Sequence, residues 1–389
     1  MPFLSLMSTK GRSEAALDEL AEQLASRWSG PTDLVVVFFS AHHLDDAEAV
    51  AQRLHAILKP RALIGCPGET IVGGDREIEN APALSVWVGT WGQAVKITPY
   101  HLTFEQTPDG VTLLGYPDAL EEADAADTLV LALGDPFTFP TDEFLQQMND
   151  DKPGIPVVGG MASGGQQPGV NRLLLGDQVV AQGAVGVVLQ GDLKFHSIVS
   201  QGCRPIGKPF LVTKAHHNIM QELGGKPALG QLQQLFQELT PRDRQLVQQG
   251  LHVGRVINEY QDGFQRGDFL VRNVMGIDQE SGGIAITDRV RVGQTLQFHV
   301  RDADTADEDL RLLLQMNRAA MKNPAAALLF SCNGRGTRFF QQSDHDARAI
   351  RGELGPIPLT GFFAMGELGP VGGKNFIHGF TASVVVFEE

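Results

Sequence analysis

Within the segment Phe330-Ser331-Cys332-Asn333-Gly334-Arg335-Gly336, a thiol, an amide and a guanidinium fall within four residues, spaced by glycines. A guanidinium holds a carboxylate through two parallel hydrogen bonds and keeps its charge at any physiological pH. About thirty residues on, Phe363-Ala364-Met365-Gly366-Glu367 ends a second apolar run in a carboxylate. Glu367 could receive an ammonium, giving with Arg335 a clamp for a zwitterion. It could equally pair with Arg335 directly and need no ligand. Cys332 could serve as a nucleophile, which requires a base; His345 and His378 are candidates if the fold brings them near. Packing is the commoner fate of a lone cysteine. Cys66, in Gly65-Cys66-Pro67-Gly68-Glu69, reads as the counterpart of Cys332 in an earlier repeat, which argues for packing in both.

Other groups carry less. The pairs His42-His43 and His216-His217 are adjacent in sequence, so on a strand they point to opposite faces and do not chelate; no metal site is expected. A haem needs one axial His or Cys beside an apolar slot, so the cofactor question stays open. Gly159 to Gly165 follows a strand as a dinucleotide loop would, but the glycine spacing is wrong and no helix follows. It reads as a loop lining a site. The expected ligand-contacting set is Cys66, Glu69, Gly160, Cys332, Asn333, Arg335, Gly366 and Glu367, with no catalytic residue assigned.

These residues need strands whose ends converge. Leu34 to Phe39 is an apolar run suited to a strand buried on both faces, and a helix to about Leu58 and a strand over 62–66 follow. Ser13 is placed to cap a helix to about Trp28. Strand, helix and strand recur at 128–133 with 155–158, and at 327–330 with 359–365. Each set is closed by a further strand, at 84–88, 185–189 and 383–387. Between them, 205–250 reads as a helical connector rich in Gln and Leu. Beyond it, 269–274, 284–286 and 295–300 read as antiparallel strands. Thr305 and Glu308 form a capping-box pair for a helix to about Lys322. The expected fold is α/β, two related halves of mixed sheets flanked by helices, with domains at 1–204 and 251–389 and the connector at 205–250.

The net charge of −15, from 46 acids and 31 bases, argues against nucleic acid or an anionic membrane surface as partner. Three dispersed cysteines make no disulfide framework, and no run reaches the length of a membrane span. A cytoplasmic location is expected, with no membrane insertion.

The 330–336 and 361–370 motifs, closing on His378 to Thr381 and a Val-rich strand, resemble the C-terminal half of the FIST family. Ile64-Gly65-Cys66 and the stretch from Val158-Gly159-Gly160 to Val188 resemble its N-terminal half. The resemblance implies an intracellular sensory domain for a small ligand, amino acids having been proposed, that signals through a partner protein. A haem-binding branch of the family makes a gas or redox sensor the first alternative. An enzyme using Cys332 is the second.

Overall fold

The computed structural model describes residues 2–108, 110–261, 263–264, 267–278 and 280–389. The chain separates into two compact units. The larger comprises residues 1–199, 310–377 and 381–389; the smaller comprises 200–309 and 378–380.

Among the described residues, fourteen strands precede residue 202. They are β1 (Phe3–Ser8), β2 (Leu34–Ser40), β3 (Ala62–Gly68), β4 (Thr70–Gly73), β5 (Arg76–Glu79), β6 (Leu84–Gly89) and β7 (Val95–Thr107). Then come β8 (Gly110–Leu114), β9 (Thr128–Gly134), β10 (Val157–Met161), β11 (Leu173–Leu175), β12 (Gln178–Val180), β13 (Ala184–Gly191) and β14 (Phe195–Gln201). The middle of the chain supplies β15 (Cys203–His216), β16 (Ile219–Leu223), β17 (Lys226–Pro227), β18 (Leu251–Val256), β19 (Phe269–Asp278), β20 (Gly283–Ile286) and β21 (Thr295–Arg301). The last are β22 (Pro324–Cys332), β23 (Leu359–Ala364), β24 (Glu367–Val371), β25 (Lys374–His378) and β26 (Thr381–Glu388). The helices are α1 (Ser13–Arg27), α2 (Ala47–Leu58), α3 (Thr141–Asp151), α4 (Ala228–Glu238), α5 (Pro241–Gln249), α6 (Ala303–Ala320) and α7 (His345–Leu354).

The expected strand–helix–strand repeats are present three times, as β2-α2-β3, β9-α3-β10 and β22-α7-β23. In each, the two strands run parallel, as a helical crossover requires. The closing strand, β6, β13 or β26, lies antiparallel on the other side of the first strand. Each repeat is followed by a hairpin, and no repeat keeps its own. Hairpin β4-β5 leaves the first repeat and pairs with β23 of the third; β11-β12 leaves the second and pairs with β3; β24-β25 leaves the third and pairs with β10. The exchange is cyclic. It places all three repeats in one unit, so the third does not stand in a separate C-terminal half as the sequence suggested.

A glycine fixes the second strand of each repeat. Gly65, Gly159 and Gly361 lie directly across from Val37, Ala132 and Leu329. A Cβ built there would come within 2.5, 1.8 and 2.0 Å of the carbonyl oxygen of that partner. Strand backbones this close admit no side chain, which explains part of the high glycine content.

The smaller unit is antiparallel throughout. Its strand order β15-β21-β18-β19-β20-β16 closes through an additional β15–β16 pairing, around a core that includes Phe210, Val212, Val253, Ile284 and Phe298. The expected helical connector over 205–250 is therefore strand as far as Pro227, and helix only in α4 and α5. The alternation of buried Ile206, Phe210 and Val212 with exposed neighbours is a strand signal, masked in sequence by Pro205, Gly207 and Pro209. Ser13 does not cap α1: its hydroxyl meets His43 Nδ1 at 2.8 Å. Helix α6 begins at Ala303, with the Asp302 carboxylate accepting the Thr305 N–H, two residues before the expected cap.

Replacing Gly361 by Ala should cost about 3 kcal/mol or more, because a backbone carbonyl has nowhere to move. Gly352 lies on the exposed face of α7 with open space around its Cα. Replacing it by Ala should be neutral or stabilise by about 0.5–1 kcal/mol. Urea unfolding of the two variants against the parent checks both signs.

Candidate functional site

The first strand of every repeat ends in, or is followed at once by, a residue with a polar or thiol side chain. By register, Ser40, Asp135 and Cys332 are equivalent, each three residues beyond the residue facing the invariant-position glycine. Ser40 Oγ accepts the Ala83 N–H, and Asp135 accepts from Asn171 and Thr138. In the third repeat this position opens a buried cluster of charges.

Arg335 follows β22 through a tight turn in which its N–H donates to the Cys332 carbonyl at 2.9 Å. Its side chain has no exposed surface. The guanidinium donates to both carboxylate oxygens of Asp346, Nε to Oδ2 at 2.8 Å and Nη2 to Oδ1 at 2.7 Å. Asp346 lies in the first turn of α7, where the helix dipole favours a negative charge. Its carboxylate also accepts from the Ser331 hydroxyl at 2.7 Å and from His345 Nδ1 at 2.9 Å. Burial would raise the Asp346 pKa; the Arg335 charge and the His345 bond outweigh it and hold the group far below the usual carboxylate range. The guanidinium stands 5.0 Å from the centre of the Phe340 ring. Phe340 in turn stacks on His345 at 3.4 Å.

Two further carboxyls surround this pair. Glu77, on hairpin β4-β5, accepts the Ala347 N–H through Oε1 at 2.9 Å. Glu367 opens β24 and accepts the Thr381 N–H and hydroxyl through Oε2, at 3.1 and 2.8 Å. Burial pushes both up to about 8; at Glu77 the negative charge of Asp346 adds to it, while at Glu367 the bonds from Thr381 and the Arg335 charge fall short of cancelling it. Burial therefore favours the neutral acid at both positions. The Cys332 thiol neighbours both Arg335 and Glu367. Three buried atoms in this cluster have no hydrogen-bond partner: Arg335 Nη1, Glu77 Oε2 and Glu367 Oε1.

A single hydroxyl ties the three repeats together beside the cluster. Ser163, just past β10, accepts the Glu69 N–H at 2.8 Å and donates to the Phe363 carbonyl. Its own N–H donates to the Pro67 carbonyl at 3.1 Å. The ends of β3, β10 and β23 thus meet at one residue.

Residues 33–226 match the FIST N domain and residues 228–370 match the FIST C domain. The chain belongs to the FIST family. It is 42% identical to an uncharacterized protein of Mycobacterium tuberculosis over 374 residues, 96% of each chain. It is 44% identical to an uncharacterized protein of Mycobacterium bovis, over 96% of this chain and 93% of that one. FIST domains are associated with sensing in signal transduction.

Of the residues expected to contact a ligand in this FIST chain, the structure gathers Cys332, Arg335 and Glu367 into the buried cluster. Gly160 and Gly366 contribute backbone. Gly160 pairs with Glu367 across β10 and β24, where a Cβ would come within 2.8 Å of Ala364 Cβ. Gly366 has φ of 134°, and its carbonyl accepts the Met161 N–H at 2.9 Å. The stretch from Gly159 to Met161 is therefore a paired strand, and the loop begins after it. Asn333 is held by its N–H to the Ala364 carbonyl at 2.9 Å. Glu69 lies at the rim in an ion pair with the exposed Arg338. Cys66 sits away from the polar cluster, fully buried in the apolar core with Phe38 and Phe362, and burial pushes its thiol up. By register Cys66 matches Gly160 and Phe362, so it is not the counterpart of Cys332.

Arg335 neither pairs with Glu367 nor offers its forked edge to a ligand, because Asp346 occupies that edge. Sequence reasoning missed Asp346, Glu77, Phe340 and Thr381. An acid in the first turn of the helix after Arg335 was the available signal for Asp346; nothing local marks Glu77. The residues here do not fit a haem: Phe340 covers a face of the His345 ring, Asp346 holds its Nδ1, and the Cys332 thiol stands among charges. Among the described residues no group of three His, Cys, Asp or Glu side chains is placed to hold a metal ion, and no helix is long and apolar enough to cross a membrane.

Replacing Asp346 by Asn leaves a buried guanidinium without its counter-charge and should cost about 3–5 kcal/mol. The double replacement Arg335→Met with Asp346→Leu should recover much of that loss in urea unfolding. Glu367 has a folded pKa of about 8, above that of the unfolded chain, so the stability tied to its proton is complete below about pH 4.3 and is lost as pH rises to 8. Glu367→Gln should accordingly flatten the fall in unfolding free energy between pH 5 and 9.

Proposed function

We propose that this protein is a sensor for a small ligand, an amino acid or related metabolite, that binds at the Cys332–Arg335–Glu367 cluster and is read by a partner protein. One observation carries the reading. Arg335 and Glu77 each bury a polar atom with no hydrogen-bond partner, Glu367 buries one that meets at most the weak Cys332 thiol, and all three belong to one cluster. A buried unmet hydrogen bond costs about 1–3 kcal/mol, more for a charged group, and natural folds keep such groups where a ligand, water or chemistry uses them. The location supports it too, since ligands of α/β sheets gather at the carboxyl ends of parallel strands.

Burial favours sensing over turnover. Cys332 and Arg335 are 7% and 1% exposed, so a ligand cannot reach them without local opening around the 331–345 segment or hairpin β4-β5. Binding that closes this region again would change the surface offered to a partner. His345, one base considered for Cys332, gives its Nδ1 to Asp346, which supports a non-catalytic role for the thiol.

A thermal-shift screen of amino acids and central metabolites on the whole chain tests the proposal. A saturable rise in Tm is expected for at least one, about 2.7 kcal/mol of stabilisation at a hundredfold excess over Kd. No shift from any compound, with cooperative unfolding intact, would remove the sensor reading.

A further inference from the structure

The three unmet atoms differ in a way that names the ligand group. Asp346 is saturated, with four donors on its two oxygens. Arg335 Nη1 carries two N–H groups and no acceptor. Glu77 uses Oε1 to accept an amide N–H, so the open position is Oε2. Glu367 uses Oε2 for both Thr381 donors, so the open position is Oε1. The Cys332 thiol beside it is at best a weak partner. Arg335 and Asp346 cancel each other's charge. In the neutral form that burial favours, each glutamic acid can place its proton on the open oxygen, and every unmet group in the cluster is then a donor.

A site of donors lacking an acceptor suits acceptor oxygens. We propose that the group bound here is the carboxylate of a small organic acid, taken by Arg335 Nη1, Glu77 Oε2 and Glu367 Oε1 with no contact to an amine. The inference rests on the cluster being the ligand site. A carboxylate offers two oxygens and about four lone-pair directions, enough for all these donors. An ammonium would add a further set of donors where none can be accepted. The zwitterion clamp expected between Arg335 and Glu367 gives way to recognition of the acid end alone.

The charges around the two acids fix the pH dependence. Glu77 faces Asp346, Asp344 and Arg335; Glu367 faces Arg335 and Cys332. Above about pH 8 both acids ionise, the donors become acceptors, and the anionic ligand meets two like charges.

Calorimetric titration and thermal shift of the whole chain, in a carboxylate-free buffer, with sodium acetate, L-alanine and methylammonium chloride separate the possibilities. Acetate and L-alanine should bind with affinities within about tenfold of each other, methylammonium should not bind, and acetate affinity should fall by up to about a hundredfold per unit above pH 8, one decade for each acid that ionises. Glu367→Gln, which keeps a donor in place, should weaken that pH dependence. Glu367→Ala should lose at least tenfold in affinity, and Glu77→Gln serves in the same role if the first variants fail to fold. Binding by L-alanine and methylammonium but not acetate overturns this inference and leaves the sensor reading standing. A metabolite that binds with no response to these substitutions also overturns it, and leaves water as the occupant of the cluster. Absence of any ligand across the wider panel removes the sensor reading itself.

Discussion

The contact between Arg335 and Asp346 sets the terms for everything near it. A guanidinium wholly removed from water must meet a carboxylate with good geometry, or the fold pays several kcal/mol. Meeting that demand fixes where α7 begins, since Asp346 has to sit in its first turn. It fixes Ser331 at the end of β22 and His345 against Phe340, because both finish the hydrogen bonding of the same carboxylate. It also brings in a distant piece of chain: Glu77 binds the Ala347 N–H, and the Glu77 N–H donates to Asp344 at 2.8 Å. The hairpin of the first repeat thereby caps the helix of the third.

The same backbone plan supports three different strand ends. At the position of Arg335, the first repeat has His43 and the second has Thr138. His43 is bonded to Ser13, and Thr138 to Asp135 and the Gly183 N–H. These ends knit neighbouring segments with neutral or singly charged groups and leave little over. The third repeat alone gathers a cation and three carboxyls, and it keeps three polar atoms to spare where the first repeat keeps one, His43 Nε2. Repetition supplied the frame, and divergence at the strand ends supplied the chemistry.

This division explains what could be read from the chain. Apolar runs such as Leu34 to Phe39 and Leu328 to Phe330 declare buried parallel strands by composition, and the glycine-bounded ends of those runs mark where a site can form. Arg335, Cys332 and Glu367 were legible for that reason. Glu77 was not, because its neighbours Arg76 and Glu79 make the strand look solvated, and its partner lies 270 positions away in sequence. Cys66 misled because a thiol after Gly65 resembles a thiol before Gly334; only pairing register shows that one lies on the second strand of its repeat and the other at the end of the first. The strands of 203–227 were obscured by Pro205, which sits paired with His299 in the ladder, and by Gly207 and Pro209, which fall in a bulge.

Cyclic exchange of hairpins has a consequence for the chain as it is made. Residues 71–73 find their partners in 360–362, and residues 159–160 find theirs in 367–368. At synthesis rates of about 5–20 residues per second, roughly 15–60 s separate the emergence of hairpin β4-β5 from that of β23. Through that interval the nascent hairpin, with Ile71, Val72 and Ile78 bound for the core, has no sheet to join. The acid at Glu77 is meanwhile in water, and its hold on a proton tightens as the last repeat docks around it. Maturation of this protein is therefore post-translational in its decisive step, and the sealed cluster forms only when the final strands leave the ribosome.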